Sequence, residues 1–492
     1  LVESGASLCG CGIKDICRDY GIEPGPEAFD LGLASYLVDA SAGTHDAADL
    51  ERRFLGRSTP AAGPEAALVA EQIAETLRVE LAARGQERLY REIERPLLSV
   101  LADIERHGVL LDAAMLTRLA DSFAGRMDKL VARIYEKAGE EFNVLSPLQL
   151  RTVLYEKLGL PTKGLKRTKT GVSTDSDSLE ALREHHPLPG LILEYRGLAK
   201  LKSTYLDQLP AMVDRESRIH TRLNQTTTAT GRLSSSDPNL QNIPIRSQDG
   251  ARIRQAFIAP KGKVLLSADY NQIELRVLAH LSGDGALAEA FAAGMDVHRA
   301  TAAELFEVSP EKVSNEMRRD AKVVNYGLIY GMGPVRLSRE LGIDRARASA
   351  YIERYFERYS GVRGFYDDML GQARELGYVS TIEGRRRYLP DMHSDHGGRR
   401  QVAERVATNT PIQGSAADII KIAMVGLHAR LRSEGLAAVI VLQIHDELLL
   451  ECPKGELEQV VGLARETMSG AADLAVPLVV DVGSGANWAL AH

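Results

Sequence analysis

The sequence predicts a helix-rich, mixed α/β protein whose sheet is assembled from strands lying far apart along the chain. Three observations carry this. Residues 87–210 and 296–435 hold long stretches of helical periodicity. Short apolar runs stand alone at 263–269 ("KVLLSAD"), 437–444 ("AAVIVLQI") and 447–452 ("ELLLEC"). Between the last two runs only His445 and Asp446 remain, which predicts a tight hairpin.

The elements follow in order. Residues 1–90 mix strand-like runs with helices around a soft break at 56–67, "GRSTPAAGPEAA". A helical pattern starts near Glu87 and continues in amphipathic segments to about Pro210. Inside it, residues 163–169 ("KGLKRTK") place Lys163, Lys166, Arg167 and Lys169 in a Gly/Thr/Ser-rich loop. Alone, that patch reads equally as a solvated loop and as a phosphate-binding one. A polar, turn-rich stretch fills 219–259. The run at 263–269 then passes into a helix, "NQIELRVLAHLSG", and strands return at the end.

At 492 residues, 44% apolar and 26% charged, the chain has the composition of a globular protein with several cores. No apolar run approaches the ~20 residues that span a bilayer. A net charge of −7 argues against a uniformly basic DNA-coating protein but leaves local basic patches open. Cys9, Cys11, Cys17 and Cys452 offer no complete four-ligand spacing, so free thiols in a reducing compartment are expected rather than a metal clip. Opening at Leu1 without Met, the chain reads as a fragment of a longer protein.

Two features point to chemistry. Asp269 ends a buried-looking strand and Asp446 sits at a hairpin tip. Each fits an ordinary turn cap, yet an ionised carboxylate in such a place is costly unless it is paired or holds a cation. In residues 318–331, "RRDAKVVNYGLIYG", Arg318, Lys322, Tyr326 and Tyr330 recur every four residues. On a helix they make one stripe, spaced roughly 6 Å apart over about 18 Å. Two cations followed by two phenols suit a partner with an anionic end and a flat polar end. With two carboxylates, the stripe favours a Mg²⁺ site that handles phosphates. No GxxxxGK[ST] is present, so triphosphate binding falls to helix-borne cations.

"LLSADYNQIELRVLAHLSGD", "RRDAKVVNYGLIYG" and "LQIHDELLLE" resemble the three polymerase motifs of family A DNA polymerases, the bacterial DNA polymerase I group. Residues 228–244 ("TATGRLSSSDPNLQNIP") and 409–424 ("NTPIQGSAADIIKIAM") match too. The resemblance implies a right-hand fold of palm, thumb and fingers beside an RNase H-like 3′–5′ exonuclease domain. It divides the chain into a truncated exonuclease-like part (1–86), palm (87–106), thumb (107–213), palm with Asp269 (214–295), fingers (296–434) and palm with Asp446 (435–492). The implied reaction is template-directed addition of dNTPs to a primer 3′-OH by two-metal-ion transfer, with Mg²⁺ as cofactor and Mn²⁺ as a substitute. It further implies a monomer of the bacterial cytoplasm, associated with the nucleoid and serving replication and repair gap filling, with no membrane partner.

By matching positions, Asp269, Asp446 and the carbonyl of Tyr270 are the implied metal ligands. Arg318, Lys322 and His298 meet the triphosphate, and Lys322 is a candidate proton donor to pyrophosphate. Taken alone, His298 would read as a helix-cap residue. Tyr326 packs on sugar and base, Tyr330 guards the template-base position, Gln272 belongs to the nucleotide site, and Glu274 is the implied gate against a ribose 2′-OH. Arg232 and Gln413 match minor-groove donors, with Asn239, Gln241, Asn409 and His445 in the same primer–template shell. Lys163, Lys166, Arg167 and Lys169 fall where the family has a thumb tip that grips duplex.

Two departures matter. Many members have Phe where this chain has Tyr326, and Tyr there implies weak discrimination against chain terminators. The stretch matching a proofreading Tyr-x-x-x-Asp motif, "AALVAEQIAETLRVEL", has no tyrosine, and a metal-binding Asp is matched by Ile13. A vestigial exonuclease without proofreading is therefore expected, with any 5′-nuclease domain outside this chain. The rival readings are a single-subunit RNA polymerase, which Glu274 disfavours, a catalytically dead primer–template binder, which the retained acids disfavour, and a nuclease built on the N-terminal part, which the missing ligands disfavour.

Overall fold

The three isolated strand runs do meet. The computed structural model describes residues 8–244 and 247–492, and at its centre lies a four-stranded antiparallel sheet. Its order is Val439–Ile444, Glu447–Pro453, Lys263–Tyr270, Val480–Gly485. The hairpin at His445–Asp446 joins the first two strands, and His445 takes the left-handed backbone (φ 53°) that so short a turn requires. Strand Lys263–Tyr270 is paired on both edges, and its Val264–Leu266 run and Ala268 are apolar around Ser267 and Asp269.

Strand periodicity then splits that run between two cores. Leu266, Ala268 and Tyr270 pack with Leu448, Leu450 and Val480 on one side. Leu265 packs with Leu442, Leu449 and Trp488 on the other. The first core continues into the helices of residues 273–376, so the sheet and the cation-bearing helix share one packed interior. The second continues into helix Ala113–Ala138, which packs against Pro187–Leu201. Between those two helices in sequence, the basic patch runs into a short hairpin, Arg167–Thr168 with Gly171–Val172, whose first strand is exposed.

A third core belongs to residues 13–102 and shares helix Arg95–His107 with the first. That helix sends Leu97, Val100, Leu101 and Ile104 to the sheet side and Leu98 and Ala102 to the N-terminal side. Among the described residues no helix is long and apolar enough to cross a membrane, and all four cysteines are free thiols.

Helix Gly397–Ser433 runs for 37 residues, about 55 Å. It carries Asn409 and Gln413 and ties three units together through buried charge. Lys421 donates to Glu94 at 2.6 Å, Asp418 accepts from Arg385 Nε at 2.9 Å, and Arg385 also donates to Glu94. Burial pushes the Glu94 carboxyl up, but Lys421 and Arg385 outweigh it and hold it at about 2. Removing one member would leave an uncompensated charge in the interior, the costly way to break such a group.

Candidate active site

Asp269 and Asp446 are brought together by sheet register. Glu447 lies directly opposite Asp269, so Asp446 falls beside Tyr270, whose N–H donates to the Asp446 carbonyl at 3.2 Å. On its other side Asp269 faces Asp481. Three carboxylates therefore stand on one rung of the sheet, with Asp446 at the turn beside them. Both flanking carboxylates have partners: Glu447 accepts from Ser267 Oγ (2.7 Å) and Trp488 Nε1 (3.0 Å) and lies 3.7 Å from His492, and Asp481 accepts from Asn271 Nδ2 at 2.9 Å.

The electrostatics follow. Burial, then the Glu447 and Asp446 charges, push the Asp269 carboxyl up to about 7. Burial raises Asp446 to about 6; Arg232 opposes the rise and Glu274 adds to it. Crowded carboxyls with raised proton affinity are in surroundings that a cation would relieve.

The helix expected from the stripe is Asn315–Ile329, started by Ser314, whose hydroxyl accepts from Met317 N. Its inner face buries Ala321, Val324, Asn325 and Leu328, which leaves Arg318, Lys322 and Tyr326 toward the sheet. Tyr330 lies one residue past the last helical turn and is followed by Gly331 at φ 66°. Lys322 Nζ stands 5.8 Å from the centre of the Tyr326 ring, and that ring is 5.6 Å from the His298 ring. Arg318 Nε pairs with Asp296 at 2.5 Å, while the other Asp296 oxygen caps helix Val297–Phe306. His298 hydrogen-bonds Asn325 at 2.9 Å. Burial and the Lys322 charge lower His298 to about 4, so the ring is neutral near pH 7.

A cavity of about 400 Å³ opens between sheet and helix. Of the residues singled out in the sequence, Asp269, Tyr270, Gln272, Glu274, His298, Arg318, Lys322, Tyr326, His445 and Asp446 line it. Gln272 adopts φ 53° where strand gives way to helix, and its Oε1 is buried without a hydrogen-bond partner. Arg232 and Gln241 line a small adjoining cavity that also reaches His445 and Asp446. Glu274, only 4% exposed, accepts from Arg232 at 2.5 Å and from the Tyr330 hydroxyl at 2.7 Å. The expected gate is thus a bridge between two other residues of the site.

The remaining candidates lie outside both cavities. Asn239 is exposed and its Oδ1 accepts from Gln241 N. Asn409 and Gln413 sit on the long helix, with Asn409 Oδ1 buried and unpartnered. Lys163, Lys166, Arg167 and Lys169 are exposed in and just before the Arg167–Val172 hairpin, and line neither cavity; Lys166 approaches Asp175 at 3.8 Å. Four residues were passed over in the sequence: Glu447, Asp481, Asp296 and His492. Asp481 had a legible signal, since it interrupts the apolar run "PLVVDVG" just as Asp269 interrupts its own strand.

Comparison with known proteins adds the family. The model of DNA polymerase family A matches residues 113–490. DNA polymerase I of Pseudomonas aeruginosa is 47% identical over 94% of this chain and 54% of its own length. The thermostable DNA polymerase I of Thermus aquaticus is 50% identical over 95% of this chain and 56% of its own. The chain thus spans about half the length of the curated relatives it matches. Among solved structures, the POL domain of Pol1 from M. smegmatis, in complex with DNA primer-template and dNTP, superposes with a TM-score of 0.90. It is 42% identical, covering 94% of this chain and 82% of that one. Overall fold, motif order and the family match over residues 113–490 agree, and this chain belongs to DNA polymerase family A.

Proposed function

We propose that the chain copies a DNA template, joining dNTPs to a primer 3′-hydroxyl and releasing pyrophosphate. One observation carries the reading: two acids remote in sequence and a helix bearing Arg318 and Lys322 face the same cavity. Relatives named DNA polymerase I, and a solved relative holding primer-template and dNTP, support it. The test is extension of a recessed primer with Mg²⁺, offering deoxy- and ribonucleotide sets in turn. Extension with ribonucleotides alone, or with neither set, would reject it.

Asp269, Asp446 and the Tyr270 carbonyl are the oxygen donors we assign to the divalent ions, Mg²⁺ with Mn²⁺ as a substitute. Hard oxygen donors in surroundings that raise carboxyl proton affinity fit such a cation. Among the described residues no group of three or more His, Cys, Asp or Glu is placed to hold a metal. Two carboxylates completed by substrate phosphate suit Mg²⁺, which is often held that way. When bound, the ions supply acidification of the primer hydroxyl and stabilisation of the leaving oxygens.

The chain's own residues do the rest. Arg318 and Lys322 receive the triphosphate; Arg318 must exchange Asp296 for it. His298, neutral before substrate arrives, offers a hydrogen bond beside them. Tyr326 packs on the sugar and base, Gln272 borders the same pocket, and Tyr330 occupies the template-base position. Arg232 and Gln413 are minor-groove donors, where purine N3 and pyrimidine O2 are nearly equivalent, so pair geometry is checked without reading sequence. Asn239, Gln241, Asn409 and His445 complete that shell, and the cations at 163–169 grip duplex phosphates at the thumb tip.

Glu274→Ala is expected to raise ribonucleotide incorporation about tenfold to a hundredfold, the range a single pocket group commands. Paired deoxy- and ribonucleotide kcat/KM values check this, and an unchanged ratio removes Glu274 from the gate. Tyr326→Phe is expected to increase discrimination against dideoxynucleotides about tenfold, the scale of one hydrogen bond. Competition between chain terminators and normal nucleotides measures it.

We read the segments as palm (87–106, 214–295, 435–492), thumb (107–213) and fingers (296–434), and residues 1–86 as an exonuclease remnant without proofreading. Ile13 supports the last assignment: at the position matched to a metal-binding Asp it is apolar and 1% exposed. Helix Pro64–Ala83, likewise, contains no tyrosine. Replication and repair gap filling in the bacterial cytoplasm is the role that fits such an enzyme.

A further inference from the structure

The segment leading into Arg232 is held by groups from other parts of the molecule. Gln225 donates to the Glu94 carbonyl at 3.0 Å and to its carboxylate at 2.7 Å. Gly231 (φ 86°) lies against Arg385, so close that a Cβ there would come within 2.5 Å of Nε. Between these two anchors stands Tyr36, from helix Leu31–Val38 of the N-terminal unit, in which every residue is buried. Its hydroxyl donates to the Thr228 carbonyl at 2.7 Å and also meets the Gly231 backbone. The ring is 0% exposed.

From Tyr36 an unbroken line of hydrogen bonds reaches the tip of the stripe helix. The Thr228 hydroxyl donates to the Arg232 carbonyl at 2.5 Å. Arg232 donates to Glu274, and Glu274 accepts the Tyr330 hydroxyl. A unit whose expected metal ligands are missing therefore still touches the polymerase site through one phenol. Apolar packing alone would leave the half-buried Thr228 carbonyl without this protein partner, whereas the fully buried phenol supplies one.

We propose that Tyr36 is a positioning residue of the synthetic site: its hydroxyl fixes the 228–231 turn and so aims Arg232 at the primer–template minor groove. The inference rests on the minor-groove reading of Arg232 and adds a task for the N-terminal unit. Arg385 is clamped by Glu94 and Asp418, so without the phenol hydroxyl the turn shifts and its neighbour does not.

The test compares primers ending in guanine with primers ending in 3-deazaguanine, which lacks the minor-groove N3 acceptor. The unmodified chain should extend the analogue about tenfold more slowly, the cost of a charged hydrogen bond. Tyr36→Phe keeps the ring and should extend the normal primer about fivefold more slowly, with most of its sensitivity to the analogue gone. Tyr90→Phe is the matched control. Its hydroxyl, in the same unit, accepts from Asp30 N at 2.7 Å and touches no part of the turn. It should lower the melting temperature and leave the analogue ratio as in the unmodified chain. Thr228→Val, one link further along, should repeat the Tyr36→Phe result. The proposal is overturned if Tyr36→Phe keeps the full analogue ratio, or if Tyr90→Phe erodes it equally. An unmodified chain that extends primers yet ignores the analogue overturns the role of Arg232 and this inference together. A chain that extends nothing overturns the polymerase reading itself.

Discussion

Asp446→Asn and Asp269→Asn are each expected to cut primer extension about a thousandfold, the several kcal/mol that a cation contributes to a phosphoryl transition state. The fold should survive, because Asn fills the same space and the rung is held by backbone pairing on both sides. A stability readout separates lost chemistry from lost structure. Both carboxyls have folded-state proton affinities above the ordinary Asp range, about 7 for Asp269 and about 6 for Asp446. The unfolded chain therefore releases these protons first as pH rises. The native state loses stability from roughly pH 4 up to those values, and the loss is complete above them. Removing either charge should leave the melting temperature at pH 8, without metal, equal to or above that of the unmodified protein. Activity gone and stability kept or raised is the expected pair of results. In the unmodified protein, the Mg²⁺ concentration giving half-maximal rate should rise as pH falls from 8 to 6, because protons and cations compete for the same oxygens. A flat Mg²⁺ requirement across that range, or an active Asn variant, would exclude the assignment.

Much of this site was legible because its parts obey strong local rules. The strand around Asp269 could be read from one apolar run, the hairpin from two such runs two residues apart, and the stripe from a four-residue spacing. The pairing of 263–270 with 447–453, and its register, came only with the fold. What sequence did not yield is mainly the set of partners. Asp296 looks like an ordinary helix cap, and its second oxygen on Arg318 is visible only once two helices are packed. Glu447 was hidden because it begins an apolar strand, and only the fold reveals that Ser267, Trp488 and His492 surround its carboxylate. Glu274 was assigned from motif position beside Tyr326, whereas its hydrogen bonds go to Arg232 and Tyr330. Periodicity reports which face a residue occupies, and the distant groups that share that face depend on tertiary register. The buried group of Glu94, Arg385, Asp418 and Lys421 is the extreme case, since each member alone reads as a surface charge.

Lys322→Leu is expected to lower turnover about a hundredfold to ten-thousandfold, the range of general acid catalysis, while nucleotide affinity weakens by less than about tenfold. The asymmetry follows from the surroundings. Arg318, one turn earlier, also faces the cavity and on the proposed reading would supply charge to the phosphates whether or not Lys322 is present, so ground-state attraction should be partly retained. A proton for the leaving pyrophosphate has fewer sources. Arg318 does not release one, because guanidinium stays protonated throughout the working range. His298 is neutral, lowered to about 4 by burial and by Lys322 itself. His492, whose proton affinity is raised by its hydrogen bond to Glu447, is engaged there, and Lys322 is the one ammonium among the cavity-lining residues. Lys322→Arg makes the distinction sharp: it restores charge without a readily transferred proton. It should recover nucleotide affinity but little of the turnover, whereas a purely electrostatic role would restore both. Single-turnover rates measured against nucleotide concentration separate the two quantities. Equal losses in rate and affinity for Lys322→Leu, repaired together by Lys322→Arg, would reduce Lys322 to a phosphate anchor.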